Sequence, residues 1–107
     1  MKSELKIAKN VITEEIEKFS LKVKKIILFG SRARGEFNKD SDWDFLVIVN
    51  QKIDFPQKQK INLRIRRRLI QFDMSTDIVI QSETDLNERK TNPGFLSYYA
   101  LKEGIVL

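Results

Sequence analysis

The segment Asp42–Val49 (DWDFLVIV) constrains the fold more than any other stretch of this chain. From Phe45 onward it is apolar at every position, so a strand built from it has both faces to bury. That pattern belongs to an internal strand covered on both sides rather than to a half-exposed edge. Covering layers and neighbouring strands must therefore come from the rest of the sequence, and suitable segments lie on either side. Val23–Phe29 (VKKIILF) is a β-branched and aromatic run stopped by Gly30 and reads as a strand, as does Ser75–Ile80 (STDIVI).

Helical spacing supplies the cover. Leu5, Ala8, Ile12, Ile16 and Phe19 recur on one face of a helix over Ser3–Phe19, and Ile61, Ile65 and Leu69 do so over Gln57–Gln71. The second of these helices is basic, with Arg64, Arg66, Arg67 and Arg68 among its apolar positions. Asn92-Pro93 has the form of a helix start, an N-cap followed by proline in the first turn. The helix it opens carries Phe95, Leu96, Tyr98, Tyr99 and Leu101 and ends at Gly104, leaving Ile105–Leu107 for a short edge strand. Ser31–Gly35 fits a short helical turn, and the polar stretches Glu36–Ser41, Gln51–Pro56 and Ser82–Lys90 read as connections. The order predicts an α+β domain, a small mixed sheet with helices packed on it. At 107 residues the chain is expected to form one domain, 1–107.

Composition removes several kinds of chemistry. There is no cysteine and no histidine, so disulfides, thiolate or imidazole metal sites and histidine bases are excluded. Catalysis must rest on carboxylates, hydroxyls, Lys or Arg, or a metal held by oxygen ligands. No run approaches membrane-spanning length, and the charged start lacks a signal peptide's apolar stretch, so a cytoplasmic protein is expected. The net charge of +5, from 20 basic and 15 acidic residues, suits a polyanionic ligand such as nucleotide phosphates, RNA or an acidic protein face, and equally suits simple solubility.

Asp42 and Asp44 are the most informative pair. Two apart on a strand, they point to the same face. Unscreened by a cation, they repel by about 3 kcal/mol at roughly 5–6 Å in an effective dielectric near 20. A magnesium ion reverses that sign, whereas a solubilising strand entrance would explain the pair without one. Asp77 interrupts a third strand-like run ahead of Ile78, Val79 and Ile80, where a charge is costly unless paired or metal-bound. If that strand lies beside Asp42–Val49, the three carboxylates can hold two divalent ions for an in-line displacement at phosphorus; alternatively Asp77 pairs with an arginine of the basic helix. Asp73 falls before the strand, in the turn. Gly30-Ser31 follows the first strand directly, where a glycine turn, backbone amides and the Ser31 hydroxyl can receive phosphate oxygens, with Arg32 and Arg34 adding charge.

Together these residues form a pattern. Gly30-Ser31-Arg32-Ala33-Arg34-Gly35, a polar loop, then Ser41-Asp42-Trp43-Asp44 and an apolar strand, with a third aspartate opening a later strand, resembles the signature of minimal nucleotidyltransferases of the polymerase-β-like superfamily. The EGIVL ending resembles that family's C-terminus too. Trp43 and Phe45 are bulkier than the aliphatic residues usual there, and they are expected to face away from the carboxylates. The resemblance implies a magnesium-dependent transferase that moves AMP from ATP to a hydroxyl. It implies Gly30, Ser31 and Arg32 as the nucleotide-binding set, Asp42 and Asp44 as ligands of two magnesium ions, and Asp77 as a third ligand that also helps activate the hydroxyl. Proteins of this type often act as antitoxins beside a HEPN-domain ribonuclease toxin, which implies such a partner and a tyrosine on it as acceptor. Two other readings stay open: a module acting by binding protein or, less favoured, nucleic acid, and a small-molecule nucleotidyltransferase.

Overall fold

The computed structural model describes Lys2–Leu107 and places the doubly apolar segment inside a four-stranded sheet. The strands are β1 (Val23–Phe29), β2 (Trp43–Val49), β3 (Thr76–Ser82) and β4 (Ile105–Val106), in the spatial order β3-β2-β1-β4. β2 runs antiparallel to β1 and parallel to β3, while β4 pairs antiparallel with β1. The sheet is therefore mixed, and β2 is internal, as its sequence requires.

Alternation along β2 divides the core in two. Phe45, Val47 and Val49 join Ile26 and Leu28 of β1 and Ile78 and Ile80 of β3 on one face. There they meet Ile12 and Ile16 of helix α1 (Lys2–Glu17) and Ile61, Ile65 and Leu69 of helix α3 (Phe55–Leu69). Leu46 and Ile48 face the opposite layer with Ile27, against Leu86 of helix α4 (Glu83–Arg89) and Ala100 of helix α5 (Leu96–Glu103). Helix α2 is the short segment Gly30–Arg34 at the end of β1. Among the described residues no helix is long and apolar enough to cross a membrane.

The basic face of α3 folds inward in part. Glu15 of α1 is buried and accepts Arg64 Nε at 2.7 Å, Arg68 Nη1 at 2.9 Å and Lys18 Nζ at 2.9 Å. Arg68 Nη2 also reaches Glu14 at 3.0 Å. Burial alone would raise the Glu15 carboxyl, but the three donors outweigh it and hold the group at about 2. Arg64 and Arg68 thus tie α3 to α1.

Three boundaries differ from the sequence expectation. Glu83–Arg89, within the stretch read as a polar connection, is helix α4: the Ser82 hydroxyl accepts the Asp85 amide at 3.1 Å and caps it, while its only buried residue is Leu86. The last helix begins at Leu96 rather than at Asn92-Pro93, because the Asn92 side chain closes a local turn on the Gly94 amide at 2.9 Å instead of capping a helix. α3 starts at Phe55, where Asp54 Oδ1 accepts the Gln57 amide at 2.9 Å. It ends at Leu69 in a 3-10 turn, Ile70–Phe72, that Asp73 closes in the left-handed region.

Candidate active site

Strand register brings the acidic residues to one end of the sheet. Asp44 lies directly opposite Asp77 on the neighbouring parallel strand and opposite Phe29, the last residue of β1. Adjacent strands lie about 4.8 Å apart, so the Asp44 and Asp77 side chains are neighbours on the α4/α5 face. Asp42 immediately precedes β2 and its charge acts on Asp44. The Asp44 carboxyl is raised above its ordinary value, first by burial and then by the charges of Asp77 and Asp42, with Arg34 opposing them weakly. Among the described residues Asp77 makes no ion pair with the basic helix, whose Arg64 and Arg68 are spent on α1.

Gly30 stands against this cluster. Its φ of 75° lies in the left-handed region, and a Cβ placed on it would collide with the Asp44 carboxylate. Both the turn and the close approach therefore need glycine. Ser31 follows in the first turn of α2, half-buried, where helix amides have no intrahelical acceptor. Gly35 closes α2 in the left-handed region as well, its amide returning to Ser31 O.

Arg32 has a different place from the one expected of a phosphate ligand. Its side chain is buried and grips the loop that leads to Asp42: Nε donates to Ser41 O at 3.0 Å, and Nη2 donates to Asn38 O at 3.3 Å and Lys39 O at 3.4 Å. The guanidinium lies 4.0 Å from the Trp43 ring centroid and 4.8 Å from that of Phe37. Trp43 in turn stacks on Phe45 at 6.5 Å, on the face away from the carboxylates. Trp43, backed by Phe45, is thus a platform for Arg32, a role that the spacing of the motif did not reveal. Arg34, by contrast, is exposed, and its two ion pairs, to Glu36 at 3.6 Å and Glu103 at 3.9 Å, are long. Asp73 caps the 3-10 turn and stands apart from the cluster.

A hard divalent cation fits this donor set. Asp42, Asp44 and Asp77 offer only carboxylate oxygens, and among the described residues none of the three side chains makes a hydrogen bond or ion pair. As placed, no three acidic side chains among the described residues are drawn in tightly enough to enclose an ion, an arrangement in keeping with mutual repulsion. A cavity of about 760 Å³ lies at the other end of β1 between Lys9, Lys22 and Lys24 and contains none of these aspartates.

A small mixed sheet with a glycine-serine turn facing paired aspartates defines a nucleotidyltransferase. Residues 10–107 match the family Polymerase beta, Nucleotidyltransferase, and the chain belongs to it. Two Methanocaldococcus jannaschii proteins named as candidate protein adenylyltransferases are similar to it. MJ0604 is 32% identical over 98% of this chain and 98% of its own length. MJ0141 is 35% identical over 59% of this chain and 64% of its own length. In three dimensions the chain resembles a protein of a toxin–antitoxin crystallised with AMP-PNP, with a TM-score of 0.61, 22% identity and coverage of 91% of this chain and 69% of the other. A mutant of the toxin–antitoxin MntA-HpeT gives a TM-score of 0.62 at 22% identity, covering 96% and 70%. At that identity the two structures bear on the fold.

Proposed function

We propose that this protein transfers AMP from ATP to a hydroxyl of a partner protein, a tyrosine of a HEPN-domain toxin, and so acts as an antitoxin. The observation that carries the reading is the register of Asp44 with Asp77 beside the Gly30 turn. Protein adenylylation and pairing with a toxin come from the names of the relatives and of the solved structures.

Asp42, Asp44 and Asp77 would hold two magnesium ions, which supply charge neutralisation for the phosphates and the developing oxyanion. Gly30 leaves room for the β- and γ-phosphates beside Asp44, and the Ser31 hydroxyl donates to one of their oxygens. Arg32, by holding Asn38–Ser41, keeps Asp42 in place; Arg34 is the nearer mobile cation for the triphosphate. The acceptor hydroxyl loses its proton to the Asp77 carboxylate. Its oxygen then forms the new bond to the α-phosphorus while the bond to the β-phosphate oxygen breaks, releasing pyrophosphate. No histidine is needed, and none is present.

Pyrophosphate release from ATP with magnesium tests the reading. It is expected to rise when the partner protein is added and to disappear in Asp42→Asn and in Asp44→Asn. Release that survives Asp44→Asn contradicts it.

A further inference from the structure

The arginines of α3 divide into two sets. Arg64 and Arg68 turn toward α1 and its glutamates. Arg66 and Arg67 are exposed and, among the described residues, have no acidic partner. They line a furrow with Leu63 and Ile70, two large apolar side chains that are 49% and 57% exposed. One arm, about 260 Å³, runs over the turn that leads into β3; another, about 420 Å³, follows α3 past Asn62. Leu63 and Arg66 border both.

Two buried polar atoms border the furrow. The Thr76 hydroxyl is buried on its wall, with the residue only 5% exposed, and has no hydrogen-bond partner. Asn62 spends its amide nitrogen on Ile78 O, blunting the open edge of β3, while its Oδ1 also lacks a partner. Unpaired guanidiniums beside exposed aliphatic side chains form the kind of surface that an acidic, partly apolar protein face complements.

Position links the furrow to the chemistry. Thr76 immediately precedes Asp77 on the edge strand, so the furrow and the carboxylate assigned to the acceptor side lie at the same end of β3, on opposite faces of it. We propose that the furrow over α3 and β3, built on Arg66, Arg67, Leu63 and Ile70, is the docking surface for the acceptor protein and recognises an acidic segment that carries the target hydroxyl. This rests on the transfer reading above for the word acceptor, and on the furrow alone for the docking of an acidic protein. A segment seated there would pass round the open edge of β3 to bring its hydroxyl to the α-phosphate, the positioning on which much of the rate depends.

The probe is a random glutamate–tyrosine copolymer. Its binding is measured by fluorescence anisotropy without nucleotide at about 50 mM salt, where charge contacts are weakly screened. The double variant Arg66→Glu/Arg67→Glu is compared with Lys22→Glu/Lys24→Glu, which changes the net charge equally at the other end of the sheet. The expected result is about tenfold or greater weakening in the arginine variant and less than about twofold in the lysine variant. Equal weakening in both means general attraction by a basic protein and overturns the proposal. So does tighter binding of an oligouridylate than of the copolymer through the same two arginines, which would make the furrow a nucleic-acid surface. Incorporation of AMP into the copolymer is then read with ATP and magnesium. If the wild type binds through Arg66 and Arg67 but incorporates nothing, the furrow stands and the transfer reading falls.

Discussion

Lowering the pH should loosen the junction between α1 and α3 through one carboxylate. Glu15 is 1% exposed and accepts from Lys18, Arg64 and Arg68, which hold it at about 2 against an ordinary 4.5. A group whose pKa is depressed by folding stabilises the native state above its unfolded pKa and loses that contribution as pH falls through the folded one. At about 1.4 kcal/mol per tenfold change in acidity constant, the depression is worth about 3 kcal/mol at pH 7, trimmed toward about 2 because the guanidiniums are partly in water. More than half of it should be gone by about pH 3. Other carboxylates titrate over the same range, so the informative quantity is the difference between the wild type and Glu15→Gln, which behaves as permanently neutral. Urea unfolding followed by circular dichroism from pH 7 to 3 measures it. Glu15→Gln should be less stable by about 2–3 kcal/mol at pH 7, with a melting temperature lower by on the order of 10 °C, and the gap should narrow steadily below about pH 5. A gap that stays constant with pH would refute the assignment of Glu15 as a charged anchor.

Three further outcomes follow from the site. Asp44→Asn should raise the melting temperature of the metal-free protein at pH 7, because burial and the charges of Asp77 and Asp42 disfavour its ionised form; the gain should vanish as pH falls below the ordinary carboxylate range, and a destabilised variant would count against the acidic cluster. Gly30→Val should abolish measurable ATP binding by calorimetry and cost at least about 1–2 kcal/mol of stability, since it adds a left-handed residue and a Cβ directed into Asp44; unchanged affinity would contradict the phosphate-binding turn. Arg32→Ala should cost roughly 2 kcal/mol through lost carbonyl bonds and ring contacts, and should speed amide exchange across Asn38–Ser41; an unchanged loop would remove Arg32's structural role.

Much of the site could be read locally and much of its support could not. The placing of Asp42, Asp44 and the Gly30 turn together is legible because they lie within one β-turn-β stretch and strand periodicity gives the facing of each residue. Asp77 became legible through the cost of a charge at the head of an apolar run, and the parallel pairing of β3 with β2 supplies its partner. Arg32 reads as nucleotide-binding from its place in the motif; its contacts in the fold depend on Trp43 and on loop carbonyls that no local pattern identifies. The basic helix hid its division for the same reason, since Glu15 lies 49 residues from Arg64 and 53 from Arg68. Helix α4 escaped notice because one buried leucine gives no periodicity, and the start of α5 was misplaced because asparagine before proline serves a turn as well as a helix cap.

The central claim is that this protein adds AMP to a hydroxyl of a protein partner using Asp42, Asp44 and Asp77. Its most direct test is the intact mass of the proposed partner, a HEPN-domain protein, purified and incubated with this protein, ATP and magnesium. The account predicts a gain of one adenylyl group on a tyrosine of the partner, absent when Asp42→Asn/Asp44→Asn replaces the wild type. A partner silenced with no change in mass, and silenced equally by the double variant, would show that the protein acts by binding and would contradict the account.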